Sequence, residues 1–113
     1  MNVSTSREGP VAVVQVSEPR LTYPLLGDFA AAVGGLLAEG ETKIVVDLSS
    51  VGYVDSATIG CLMDLYRQAN GAGGSLKLAG LQKRVETMLN MTGAQNFLEV
   101  HPDRTSALAS FGG

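Results

Sequence analysis

Tryptophan is absent from this chain, and cysteine and histidine occur once each, at Cys61 and His101. A lone cysteine forms no intramolecular disulfide and builds no zinc site by itself, which agrees with a reducing compartment. The lone histidine stands before Pro102, remote in sequence from other titratable clusters, and is expected at the surface. Acid and base catalysis need positioned partners. No Ser/His/Asp set and no carboxylates paired at helical spacing supply them, and Asp47, Asp55 and Asp64 resemble a metal cluster by count only. The expectation is a protein that is not an enzyme and carries neither cofactor nor metal. With only three Phe and three Tyr, the core has to be aliphatic, rich in Ala, Val and Leu. Excess positive charge is also missing: the net charge of −3 leaves no electrostatic footprint for nucleic acid, so the expected partners are proteins. No apolar run approaches the roughly 20 residues that cross a bilayer, and the opening MNVSTSREG lacks a signal peptide's apolar stretch. A cytoplasmic protein with no membrane partner is therefore expected.

What is present suffices for one core. At 113 residues, 45% of them hydrophobic, the chain is long enough for a single domain over 1–113 and too short for two ordinary ones. Its centre of organisation is Lys43 to Leu65. Ile44, Val45, Val46 and Leu48, interrupted by Asp47, suit a strand buried on both faces. Ser49, Ser50 and Gly52 have turn composition. Apolar residues then return at helical spacing, at Ile59, Leu62, Met63, Tyr66 and Ala69, so a helix starts close to Asp55 or Ser56, both strong N-cap types. A strand, a short loop and a helix whose first turn presents a serine hydroxyl are predicted. A helix N-terminus tolerates added negative charge, which makes Ser56 a chemically sensible phosphorylation site; a plain helix cap accounts for the same residues.

Around this centre, Asn2–Ser6 is expected to pair with Val11–Val16 as an edge hairpin across Arg7-Glu8-Gly9-Pro10. Residues 17–23 read as irregular, and Pro24 opens a helix carrying Leu25, Leu26, Phe29, Val33, Leu36 and Leu37 up to Glu39. Gly34 and Gly35 weaken it by about 0.8 to 1 kcal/mol each. The run Asn70–Ser75 resembles a phosphate loop in composition only, because it closes a helix and precedes the strand Leu76–Ala79, the reverse of the order such loops require. Leu81, Val85, Met88 and Leu89 mark a third helix ending at Gly93. Phe97, Leu98 and Val100 mark a last strand, and Pro102 opens a helix with Ala107, Leu108 and Phe111 inward.

Val46-Asp47-Leu48, the loop Val51-Gly52-Tyr53-Val54, then Asp55-Ser56-Ala57-Thr58-Ile59-Gly60 and the later turn Met91-Thr92-Gly93 together resemble the STAS family, most closely its small anti-sigma factor antagonists. The resemblance runs from about Gly9 to Phe111. It implies an α/β fold, a STAS-like mixed, mostly parallel four- to five-stranded sheet with about four helices packed against it. It also implies partner switching. The unphosphorylated protein would bind a serine-kinase anti-sigma factor, which binds the ATP; phosphorylation of Ser56, or alternatively Thr58, would release it, and a separate metal-dependent serine phosphatase would reset it. Asp55, Ser56, Ala57, Thr58, Ile59, Cys61 and Leu65 would meet the partner; by helical spacing Cys61 is either a small apolar residue under a neighbouring loop or, with Ala57 and Leu65, part of an apolar strip that the partner covers. The alternative is a constitutive scaffold subunit, of a lipid-transport ATPase complex or a stressosome-like assembly, in which Asp55-Ser56 only caps a helix. Three departures stand out: Thr58 replaces the family's glycine, Ala57 stands where many members carry a second hydroxyl, and Pro19-Arg20-Leu21-Thr22 lacks the acidic residue usual there. The Thr58 side chain is expected to narrow the set of kinases that can approach.

Overall fold

A computed structural model describes residues 1–112. The chain opens with a hairpin, β1 (Val3–Glu8) antiparallel to β2 (Val11–Val16), with Val3 opposite Val16 and Glu8 opposite Val11. The turn is just Gly9 and Pro10. Gly9 takes φ 63°, and proline's fixed negative φ follows, the combination that a two-residue II′ hairpin turn requires. Next come a short β3 (Arg20–Leu21), a 3-10 turn at Tyr23–Leu25 with Pro24 inside it, and α1 (Leu26–Ala38). Then follow β4 (Lys43–Asp47), β5 (Tyr53–Val54), α2 (Ser56–Gly71), β6 (Ser75–Ala79) and α3 (Lys83–Met91). A 3-10 turn at Ala94–Asn96, β7 (Glu99–His101) and α4 (Arg104–Ala109) complete the order.

The main sheet has the order β1-β2-β4-β6-β7, parallel throughout except for the β1–β2 hairpin. This is the mixed, mostly parallel sheet with four helices that the sequence implied. β4 lies in its middle, and Ile44, Val45 and Val46 are fully buried because each of its faces is covered. Ile44 and Val46 join the larger core with Phe29 and Val33 of α1, Ile59, Leu62, Leu65 and Ala69 of α2, and Val85 and Leu89 of α3. At roughly 1.5–3 kcal/mol per fully buried aliphatic side chain, this layer supplies most of the driving force for folding.

The opposite face works differently. Val45, with Val11, Val13 and Ala79, faces α4, which buries only Ala107 there. Leu108 and Phe111 add partly buried apolar contact, and charged groups fasten the helix at both ends. The Arg104 guanidinium donates to Asp47 Oδ2 from Nε at 3.1 Å, with Nη2 at 3.0 Å, and also to Gln15 Oε1. Asp47, only 7% exposed, takes Ser49 N–H on its other oxygen at 2.9 Å. At the far end Lys77 Nζ donates to Ser110 Oγ at 2.7 Å and Ser110 O at 3.2 Å, lies 3.1 Å from Glu99, and sits 4.2 Å from the centre of the Phe111 ring. His101 is half-buried against Glu99 rather than free at the surface. Its contact, together with that of Lys77, holds the Glu99 carboxyl below its ordinary range.

Besides His101, several details depart from the sequence expectation: α4 starts at Arg104 behind its Asp103 cap rather than at Pro102. The last strand begins two residues late: Leu98 is a core residue placed before it, and Phe97 is left 58% exposed. Within the supposedly irregular stretch, Arg20 and Leu21 pair in parallel with Tyr53 and Val54, in a two-stranded sheet too short to show any period. The Asn70–Ser75 segment is a helix end and turn as expected: α2 stops at Gly71, Gly73 takes φ 84°, and Ser75 N–H bonds Thr42 O at 2.8 Å. Gly74 has no room for a side chain, since a Cβ there would stand 1.9 Å from Thr42 O. Gly74→Ala should therefore cost about 1–3 kcal/mol or more through forced backbone displacement, read from urea denaturation. Gly71→Ala, where no neighbour stands within 4 Å, is the control and should not destabilise.

Candidate functional site

β4 and the small β3–β5 sheet lead the chain to Asp55, whose extended backbone (φ −101°, ψ 175°) makes it the N-cap of α2. Both carboxylate oxygens are engaged. Oδ1 accepts Thr58 N–H at 2.9 Å and lies 2.7 Å from Thr58 Oγ1, while Oδ2 accepts Tyr23 N–H at 3.0 Å. The carboxylate therefore closes an orphan donor of α2 and fastens the start of the α1 segment to it. These hydrogen bonds, the Thr58 hydroxyl first, favour the charged form and lower the Asp55 pKa from its ordinary 3.8. The cap is Asp55, which leaves Ser56 as the first residue of the helix, exposed and relieved of capping work.

Thr58 is placed otherwise than its surface role would need. It is fully buried, and its hydroxyl lies 2.7 Å from Leu21 O as well as 2.7 Å from Asp55 Oδ1. A hydroxyl has one proton, so the two acceptors share it. Neither the methyl nor the hydroxyl reaches the surface, so Thr58 presents no acceptor to a kinase and cannot screen kinases by direct contact. Among the other expected contact residues, Ala57 is exposed and Cys61 half-buried, whereas Ile59 is 5% and Leu65 2% exposed, both turned into the core. The exposed edge beside Ser56 is thus Ala57, Gly60 and Cys61, with Asp64 beyond. Burial, and then the Asp64 charge, push the Cys61 thiol up, so it remains protonated and weakly nucleophilic.

The structure adds residues to this end that spacing alone did not select. Tyr23 is 73% exposed although its amide is bonded to Asp55. Arg20 stacks over the Tyr53 ring, 4.5 Å from its centre, on the strand pair that leads into Asp55. The available signal was weak: an aromatic before proline, in a stretch without periodicity.

A family model described as "Mlab, STAS domain" matches residues 3–99. The chain belongs to the STAS domain family. It is 30% identical over 64 residues to the anti-sigma-B factor antagonist of Bacillus subtilis, covering 57% of this chain and 59% of that protein. The chain thus matches about three fifths of that relative's length. The anti-sigma-factor antagonist domain protein of Planctomyces limnophilus superposes with a TM-score of 0.88 at 16% identity, over 98% of both chains. The phosphorylated form of the Bacillus cell fate determinant SpoIIAA superposes with a TM-score of 0.74 at 12% identity, over 97% of this chain and 99% of that one. At such identities these structures establish a shared STAS fold. Among the described residues, no helix is long and apolar enough to cross a membrane.

The capping geometry makes stability at low pH depend on Asp55. Its pKa is lowered on folding, so its contribution is complete above the unfolded value of 3.8 and is lost as pH falls through the lower folded value. The stability advantage of the wild type over Asp55→Asn, measured by urea denaturation, should be constant above about pH 5 and shrink steadily as acid is added below it. An advantage independent of pH down to about pH 2 would show that the carboxylate's charge is not what the cap uses. Ser56→Ala, by contrast, removes no cap and should change stability by less than about 0.5 kcal/mol.

Proposed function

We propose that this STAS domain is an anti-sigma factor antagonist switched by phosphorylation of Ser56. The observation that carries the reading is the division of labour in one helical turn. Asp55 and the buried Thr58 make the structural hydrogen bonds, while the Ser56 hydroxyl is exposed at the first position of α2. The relative of known role supports it: that protein is named an anti-sigma-B factor antagonist. So does the existence of a phosphorylated form of the STAS-fold protein SpoIIAA.

In this scheme the partner is a serine-kinase anti-sigma factor that binds ATP. Ser56 Oγ attacks the γ-phosphorus; the bond to the β,γ-bridging oxygen breaks, ADP departs, and the hydroxyl proton passes to a base of the partner. A separate serine phosphatase returns the hydroxyl by hydrolysis. The chain's own part is to hold that hydroxyl on a rigid helix end. The added charge of about −1.5 to −2 meets the positive end of the α2 dipole but stands beside the Asp55 carboxylate, so within the isolated domain the two effects offset. At a surface fitted to a neutral hydroxyl, the same charge is desolvated without a counterion, at about 2 to 5 kcal/mol.

Mass mapping after incubation with the anti-sigma kinase and ATP should place one phosphate on Ser56 and none on Thr58. A constitutive scaffold would gain none, and phosphate on Thr58 with Ser56 unmodified would reject the assignment. Phospho-Ser56 protein should melt within a few degrees of the unmodified form yet bind the kinase roughly 30-fold to several-thousand-fold more weakly by calorimetric titration. Equal affinity of the two forms would reject the switch. A collapsed melting transition would mean that release comes from unfolding.

A further inference from the structure

We infer, building on the proposed role of Ser56, that Tyr23 grips the anti-sigma factor beside the acceptor serine and that Thr58 is the residue that positions it. Tyr23 is 73% exposed at the same end of the fold as Ser56. Among the described residues the other large exposed apolar side chains, Met91 and Phe97, flank the α3–β7 connection, whereas Tyr23 is tied directly to the Asp55–Ser56 turn. Its amide bonds Asp55 Oδ2 at 3.0 Å, and the other oxygen of the same carboxylate caps the helix that Ser56 begins. β3 runs parallel to β5 with Leu21 opposite Val54, so the residues after each strand, Thr22-Tyr23 and Asp55-Ser56, leave the small sheet side by side.

The backbone beneath the ring is also held. Tyr23 stands in the 3-10 turn, the Asp55 bond fixes its amide, and the side chain has only two rotatable bonds left to immobilise. Tyrosine placed in this way has the character of an interfacial hot spot: large contact area at small entropic cost. Thr58 completes the arrangement from beneath. Its hydroxyl is 2.7 Å from Leu21 O, two residues before Tyr23, so the segment is tied to α2 at Leu21 by Thr58 and at Tyr23 by Asp55. A glycine at this position, as in the resembling motif, supplies no such tie. The replacement that distinguishes this chain therefore acts on the partner through Tyr23, without touching it. The face of the anti-sigma factor next to the incoming Ser56 would carry an apolar recess for the ring.

The test uses the purified anti-sigma kinase that binds the wild-type chain, titrated calorimetrically against the full-length variants. Tyr23→Ala should bind about 10- to 100-fold more weakly with an unchanged melting temperature, and Tyr23→Phe should stay within about threefold of wild type. Thr58→Val should weaken binding and speed hydrogen exchange at the Tyr23 amide, with Thr58→Ser restoring both. In the double variant Tyr23→Ala/Thr58→Val, binding should be no weaker than in Tyr23→Ala alone, because the threonine acts through the ring. Ser56→Asp separates the failures. If it weakens binding while Tyr23→Ala binds as wild type, the grip is overturned and the switch stands. If Ser56→Asp binds as tightly as wild type, the switch is rejected and this inference with it. Additive losses in the double variant would overturn the positioning role of Thr58.

Discussion

One carboxylate joins the pieces on which the site depends. Asp55 receives the N–H and the hydroxyl of Thr58 in α2 and the N–H of Tyr23 in the segment leading into α1, so two distant stretches of chain meet on its two oxygen atoms. Charge-assisted hydrogen bonds of this kind are stronger than neutral ones, and they are directional. An apolar contact would hold the helix near the sheet without specifying where its first turn stops. The carboxylate specifies it, and thereby specifies which hydroxyl of Ser56 and Thr58 is outside and which is inside.

The two faces of the sheet solve the same problem with different forces. On one, α1, α2 and α3 press aliphatic side chains on β4 and β6, and the loss is distributed when any one of them is trimmed. On the other, α4 is held by Arg104 on Asp47 and Gln15 and by Lys77 on Ser110 and Phe111. Removing one partner there leaves a buried charge uncompensated, which concentrates the penalty in a few atoms. The Asp55–Thr58 turn lies on the apolar side, at the start of α2.

Much of this was legible in the sequence because periodicity reports burial. The β-branched run at Ile44–Val46, the 3.6-residue recurrence from Ile59 to Ala69 and the hairpin around Gly9-Pro10 each follow from local chemistry. The site was only half legible. Asp55 and Ser56 were both good caps by type, and the choice between them depends on which carboxylate or hydroxyl finds a second partner, here Tyr23 N–H, 32 residues away. For the same reason Thr58 read as a surface residue: nothing local says that Leu21 O waits above it. Leu65 likewise falls on the core side once the pitch of α2 is fixed. Two-residue strands such as β3 and β5 have no period to detect, and their pairing is what brings Tyr23 to the turn.

The polar fastening of α4 also orders the events of folding. Arg104 meets Asp47 and Gln15 across 57 and 89 residues of chain, and Lys77 meets Ser110 across 33. Loops of that length close late, since their entropy is recovered only when the strands they reach already stand side by side. The C-terminal helix docks as a clasp on a sheet whose other face is already closed.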